Sequence, residues 1–458
     1  MKRALSILVL ALAACDPAYQ TGGAAFAHAE GADGSGHPFA LLRFTPSDRA
    51  RSVAGTSVRR HPSGDLVIAG VFDGTADVGL GPARLEGAAT AFVGRYSPSG
   101  KPRWVKWMQS ASYDGPRVAV DPAGQIVVLA QTTSAPVPFG APEPQCSARE
   151  GCPYVSAFFV LSADGEMRTA RTLPARDPRE KMNAELVAID ASNEVTVAGR
   201  FGVAADLFVA RYAMNGERRF FTRVRASGAS SAAGLALAPD GDALLVGDAQ
   251  GEMRVGETAR SSSGAFALRL DPEGAPRWLR PLGADVQALA VAVDRAGDPV
   301  VVLRQHAATE RGVVEKLAGR TGDVTWSQPI EKRDGVVRRA SIDLAGGTSP
   351  IVAFQVQSGA QNAAVVVALG TDGAMTWTRQ LRNFDANGAW AVEASSLASL
   401  GPNEAVVTGW FAGRADLAAG VAESPWGTAR KPCRIDDDDD ACREVWAARA
   451  MFVARVSP

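Results

Sequence analysis

From about residue 40 to the C-terminus, short apolar runs alternate with Gly-containing turns. Residues 118–130, VAVDPAGQIVVLA, show the unit: an apolar run, a D-x-x-G turn, then a β-branched run. That pattern is hairpin chemistry, two half-buried strands joined where Gly accepts a positive φ. Copies lie at 57–70, 186–199, 235–247, 290–303, 340–354 and 392–409. Their turn carboxylates Asp121, Asp190, Asp240, Asp294 and Asp343 are expected to bond turn amides rather than to act in catalysis. A second hairpin lies between these copies: FVGRYSPSGKPRWV (92–105), then 158–170, 207–221, 266–279, 313–327 and 365–378. ALLRFTPSDRARSV (40–53) aligns with 92–105, and FVARVSP (452–458) is a truncated copy. No stretch sustains a 3.6-residue period, so long helices are not expected.

Four short strands per repeat, closed by both termini, predict an all-β chain. The expected fold is a seven-bladed β-propeller of four-stranded antiparallel blades over residues 38–458, an eight-bladed ring being the alternative. Strands A and B form the D-x-x-G hairpin, C is the FVxR strand, and D carries Trp. Trp104, Trp278, Trp326 and Trp377 recur at one position and read as packing between blades. The B–C connections are short in blades three, five and six and moderate in four. They are long in blades one, two and seven, which are neighbours once the ring closes. Long loops on a rigid scaffold are where binding concentrates.

The first 37 residues follow a different pattern. A basic start and the apolar run ALSILVLALAA (4–14) have signal-peptide length, too short to span a bilayer. Leu12-Ala13-Ala14-Cys15 resembles the bacterial lipobox. That resemblance implies signal-peptide removal over 1–14, a lipid on Cys15 and membrane attachment, with N-acylation adding to an anchor that one chain makes only marginal. Residues 15–37 then read as a flexible tether. The implied address is the bacterial cell envelope, on its periplasmic or outer-surface side.

Composition narrows the chemistry. The 48 Lys+Arg balance 49 Asp+Glu, which gives no general basic surface and no argument for nucleic acid. His28, His37, His61 and His306 are scattered, and G-x-S-x-G and H-E-x-x-H are absent. No catalytic residue and no cofactor is therefore assigned. Asp114 and Asp385 are carboxylates whose distance from the central channel the sequence leaves open. Cys146 and Cys152, and Cys433 and Cys442, pair by proximity in long B–C connections; exported disulfides are expected, with free thiols or a four-cysteine metal site as the alternatives. Inside the second loop stand Asp436, Asp437, Asp438, Asp439 and Asp440. Three readings stay open for them: a solvated acidic tip, a basic partner, or a Ca²⁺ site.

The motif G-x-F-x-G-x-x-D-[LV], seen in GVFDGTADV (70–78), GWFAGRADL (409–417) and nearly in GRFGVAADL (199–207), is similar to bacterial SBBP-type propeller repeats. AGRTGDVTWS (318–327) also resembles quinoprotein-type repeats and the propeller lipoprotein of outer-membrane assembly, although Thr169 and Phe220 replace Trp in two copies. These resemblances imply a fold and no activity. The expected role is a lipid-anchored binding or scaffold module, with a protein or glycan partner on the long-loop face. The competing class is an extracellular propeller enzyme, a polysaccharide lyase or hydrolase or a quinone-dependent dehydrogenase.

Overall fold

The computed structural model describes residues 41–44, 53–72, 75–79, 82–84, 90–109, 115–133, 154–173, 181–202, 206–306, 310–330, 335–358, 361–383, 392–412, 414–417, 421–423 and 450–458. Every regular element among them is a β-strand. Strands pair antiparallel in meanders of four. Val53–Arg60, Leu66–Phe72, Thr90–Tyr96 and Pro102–Gln109 form one sheet in that order. The same order recurs over 117–172, 182–226, 230–283, 286–330 and 336–383. A further sheet takes Val392–Gly401, Glu404–Phe411 and Ala450–Val456 from the end of the chain, and Leu41–Phe44 from its beginning as the outermost strand. Leu41 lies opposite Ala454 and Phe44 opposite Met451. Each first strand touches the first strand of the next sheet, and that of 392–456 touches that of 53–109. The ring is therefore closed, and the sheets are the blades of a β-propeller.

Residues 40–46 align with a C strand, yet Leu41–Phe44 occupies the outer, D position. Val53 already begins the A strand of the next blade, four residues ahead of the hairpin at 57.

The D-x-x-G signature has a single geometric origin. In the turn from Asp121 to Gln125, Asp121 N donates to Gln125 O (3.0 Å) and Gly124 N donates to Asp121 O (3.0 Å). Gly124 has φ +87°. This is a type I turn followed by a left-handed residue, the geometry of a G1 bulge. Asp121 Oδ1 also accepts from Gln125 N at 2.7 Å. Asp190 and Asp294 repeat the bond, and Asn193 (φ +63°) stands where the others have Gly. Asp240 differs, lying third in its turn, where Oδ2 meets Arg269 at 2.7 Å.

Both faces of a blade are apolar, and both are covered by neighbours. One cluster joins Val127 and Phe158 to Val195 and Phe208 of the following blade. Another joins Val53, Phe72 and Tyr96 to Val406, Met451 and Val453 across the closure. The SBBP-like motif belongs to the same packing. Its last residues form small B–C hairpins, Thr75–Asp77 with Pro82–Arg84 and Arg414–Asp416 with Val421–Glu423. Asn383 and Arg382, on the outer strand of the preceding blade, pair with Ala415 and Asp416. Alternation then sends Ala415 and Leu417 into one interblade core, and Ala76 and Val78 into another.

The D-strand tryptophans fasten consecutive blades. Trp104 Nε1 donates to Ala163 O, and Trp278 Nε1 to Gly319 O, each at 2.8 Å. Each ring also lies on the positive-φ glycine of the next C–D turn. A Cβ on Gly165 would sit 2.7 Å from Trp104, and one on Gly322 would sit 3.1 Å from Trp278. Thr169 and Phe220, which replace Trp, keep half of the device each: Thr169 Oγ1 donates to Met214 O at 2.7 Å, and Phe220 lies against Gly274. Trp278→Ala should therefore lower the unfolding free energy by about 3–5 kcal/mol in denaturant titration. Trp278→Phe, which keeps the ring and leaves the Gly319 carbonyl still accepting from Arg269 at 2.8 Å, should cost only about 0.5–1.5 kcal/mol.

Candidate binding face

In every blade the A–B and C–D turns lie at one end and the B–C and D–A connections at the other. The long connections leave from Phe72, Thr133 and Phe411 and return at Thr90, Tyr154 and Ala450. Their blades are adjacent around the closure. One sector of one face therefore carries the chain's largest insertions.

At the root of the 133–154 connection, a cavity of about 270 Å³ opens between the 117–172 and 182–226 blades. Gln131, Ser156, Lys181, Met182, Asn183 and Arg200 line it. A bulge between Ala184 and Leu186 breaks the inner ladder here. The freed Ala184 N donates to Ser156 Oγ at 2.9 Å. Gln131 Nε2 donates to Asn183 Oδ1 at 2.7 Å, and Arg200 Nε lies 3.3 Å from Glu185 Oε1. Lys181 makes no ion pair with a described carboxylate. The cavity presents an ammonium, a guanidinium and amide groups on an apolar floor, a surface suited to a ligand rich in oxygen acceptors.

The inner strands hold a second polar system. Val118 N donates to Ser57 Oγ (3.2 Å), Leu397 N to Ser341 Oγ (3.1 Å), and Val58 N to Ser396 Oγ (3.1 Å). Each bond joins the A strands of neighbouring blades. Asp343 belongs to this set, not to a turn as its sequence position suggests. It lies inside Val336–Ala345, and its Oδ2 accepts from Ser399 N at 2.7 Å. Burial pushes its carboxyl above the ordinary carboxylate value, while Ser399 N and the nearby Arg59 charge pull the other way. Burial also lowers Arg59, with Asp343 opposing. The sequence does not reveal this pair because the turn that follows it, at Ala345 to Ser349, comes later than in the other repeats.

The recurrent tryptophans are interblade anchors, as expected. Cys15, Cys146, Cys152, Cys433, Cys442 and Asp436 to Asp440 lie outside the described residues, as do His28, His37, Asp114 and Asp385.

No protein-family model matches the chain, and no curated protein matches it. Among solved structures it is similar to a catalytically inactive virginiamycin B lyase from Staphylococcus aureus with quinupristin, at 9% identity and TM-score 0.47, over 90% of this chain and 98% of that one. The Dos1 propeller gives 9% identity and TM-score 0.46, over 91% and 94% of the two chains. The β-propeller domain of the trilobed protease from Pyrococcus furiosus gives 9% and 0.42, over 79% and 91%. The strand pairings themselves carry the propeller assignment.

His61 is a turn staple. Its Nδ1 accepts from Ser63 N (3.1 Å), and its Nε2 donates to Gly124 O of the next blade (3.1 Å). The Gly124 carbonyl places a proton on Nε2, and the Ser63 amide, with the Ser63 hydroxyl 2.8 Å from Nδ1, serves the unprotonated Nδ1 of the neutral ring. Burial first, and the Arg95 charge second, hold its pKa below the ordinary histidine value. The unfolded chain therefore takes up a proton first as pH falls below about 6.5, and stability is lost until the folded imidazole protonates too. Thermal unfolding from pH 7.5 to 5 should show a steeper loss in the natural chain than in His61→Gln.

Proposed function

We propose that this chain is a lipid-anchored cell-envelope β-propeller of seven blades, of the SBBP type, acting as a binding or scaffold module through its long-loop sector. The single observation that carries the binding role is the polar cavity at the root of the 133–154 connection. It lies where the longest insertions gather. The blade number is supported by the recurrence of the four-strand order and by the pairing of Leu41–Phe44 with Ala450–Val456. The anchor is supported by the h-region and by Leu12-Ala13-Ala14-Cys15. On this reading the lipid on Cys15 tethers the ring to the membrane at the periplasmic or outer-surface side. Disulfides Cys146–Cys152 and Cys433–Cys442 stiffen two of the long loops, and Asp436 to Asp440 form a charged tip that meets solvent, a basic partner or Ca²⁺. The partner is a protein or a glycan.

Two variants test the proposal. Cys15→Ser should move the protein from the membrane to the soluble fraction on fractionation; retention at the membrane would remove the anchor. Replacing residues 134–153 with a short Gly-containing turn should leave the melting temperature unchanged and abolish copurification of the envelope partner captured by the natural chain. Undiminished capture would refute the long-loop reading.

A further inference from the structure

A second cleft lies at a different blade interface, between the 182–226 and 230–283 blades. It encloses about 570 Å³ beside Phe221, Arg223, Arg225, Arg254, Glu273 and Pro276. It arises from an irregularity of the fold. Ala243–Val255 and Thr258–Leu270 are each 13 residues long and run past their own sheet. The tip of this hairpin pairs with the outer strand Arg218–Ala226 of the preceding blade, placing Val224 opposite Val255, Arg225 opposite Arg254 and Ala226 opposite Met253. Val224, Met253 and Val255 enter the interblade core. The alternate position pairs two arginines directly across the ladder.

Like charges at directly opposed positions destabilise a sheet. Nothing in the packing requires two guanidiniums here, since both side chains are exposed. Arg225 makes no ion pair with a described carboxylate, and Arg254 meets only Glu252, at 2.7 Å on the surface. Arg223 lies two residues from Arg225 on the same strand, roughly 7 Å away. It is held by Asp206 at 2.6 Å and lies over the Phe201 ring. Three guanidiniums thus border one open cleft in a chain whose net charge is only -1.

We propose that this cleft binds an acidic oligosaccharide, with successive carboxylate or sulfate groups on the arginines. Guanidinium forks match those planar oxygen pairs, and spaced cations suit a chain that repeats its charge. The rest of the lining favours a sugar over a bare anion. Pro276 offers apolar surface to the C–H face of a pyranose, and the Glu273 carboxylate can accept from a hydroxyl. This site does not depend on the long-loop reading.

The test is calorimetric titration of the full chain with an oligogalacturonate and with a sulfated oligosaccharide. At least one should bind, more weakly as salt rises. Arg225→Gln/Arg254→Gln should weaken that binding at least tenfold, while Arg280→Gln, on another outer strand, should leave it unchanged. Without saccharide, the double variant should melt at the same temperature or higher, because it relieves a repulsion. Binding of neither saccharide, equal loss in Arg280→Gln, or a lower melting temperature of the free double variant would overturn the proposal. Full competition by inorganic sulfate at equal charge would make this a single-anion site and overturn it, as would preferential binding to phosphatidylglycerol vesicles.

Discussion

A sheet that is apolar on both faces cannot stand alone in water, and nearly everything in this molecule follows from that. Buried residues on the B and C strands face alternately toward one neighbour and the other. Val127 and Phe158 pack forward against the next blade, while Val128 and Phe159 pack back against the previous one. No blade has a core of its own; the cores lie between blades. Such an arrangement is stable only if the last blade meets the first. The pairing of Leu41–Phe44 with Ala450–Val456 and the shared core of Val53, Phe72, Val406 and Met451 make that meeting, by strand hydrogen bonds and by apolar packing.

Polar groups then solve the problems that the apolar packing creates. Inner strands have a free edge at the channel and bulges that release amides; serines and Asp343 of the adjoining strand accept them. At the turn face, the FVxR arginines bridge blades. Arg95 meets Asp65 at 2.7 Å and Ala163 O at 2.8 Å. Arg269 meets Asp242 at 2.6 Å and the Gly297 and Gly319 carbonyls of the next blade. A buried charge survives here because every lobe of the guanidinium finds an acceptor.

Repetition makes the fold legible in the amino-acid sequence. A D-x-x-G turn and an FVxR strand are local signals, and each recurrence repeats the same physical demand. Trp104, Trp278 and Trp326 read correctly as packing because one position in a repeat implies one environment. Legibility fails where a residue answers to something outside its own repeat. Asp343 looks like a turn aspartate and instead serves the neighbouring inner strand. Residues 40–46 stay ambiguous, C-like in sequence yet placed to be the outer neighbour of the last strand, and only the pairing with a segment more than 400 residues away puts them in the D position. The arginine cleft is invisible for the same reason: Arg225 and Arg254 are opposed only through a pairing between blades. The cavity beside Asn183 is foreshadowed only by loop length, since its lining residues carry no motif.

Both candidate ligand surfaces lie at blade interfaces, where insertions can be added without disturbing the ring. That separation of scaffold from surface holds only if the ring is one cooperative unit. Scanning calorimetry of the chain tests this directly through the ratio of calorimetric to van't Hoff enthalpy. A closed ring whose cores all lie between blades predicts one transition with a ratio near unity. Two resolved transitions, or a ratio well above one, would mean that part of the ring folds alone and would contradict a single closed ring.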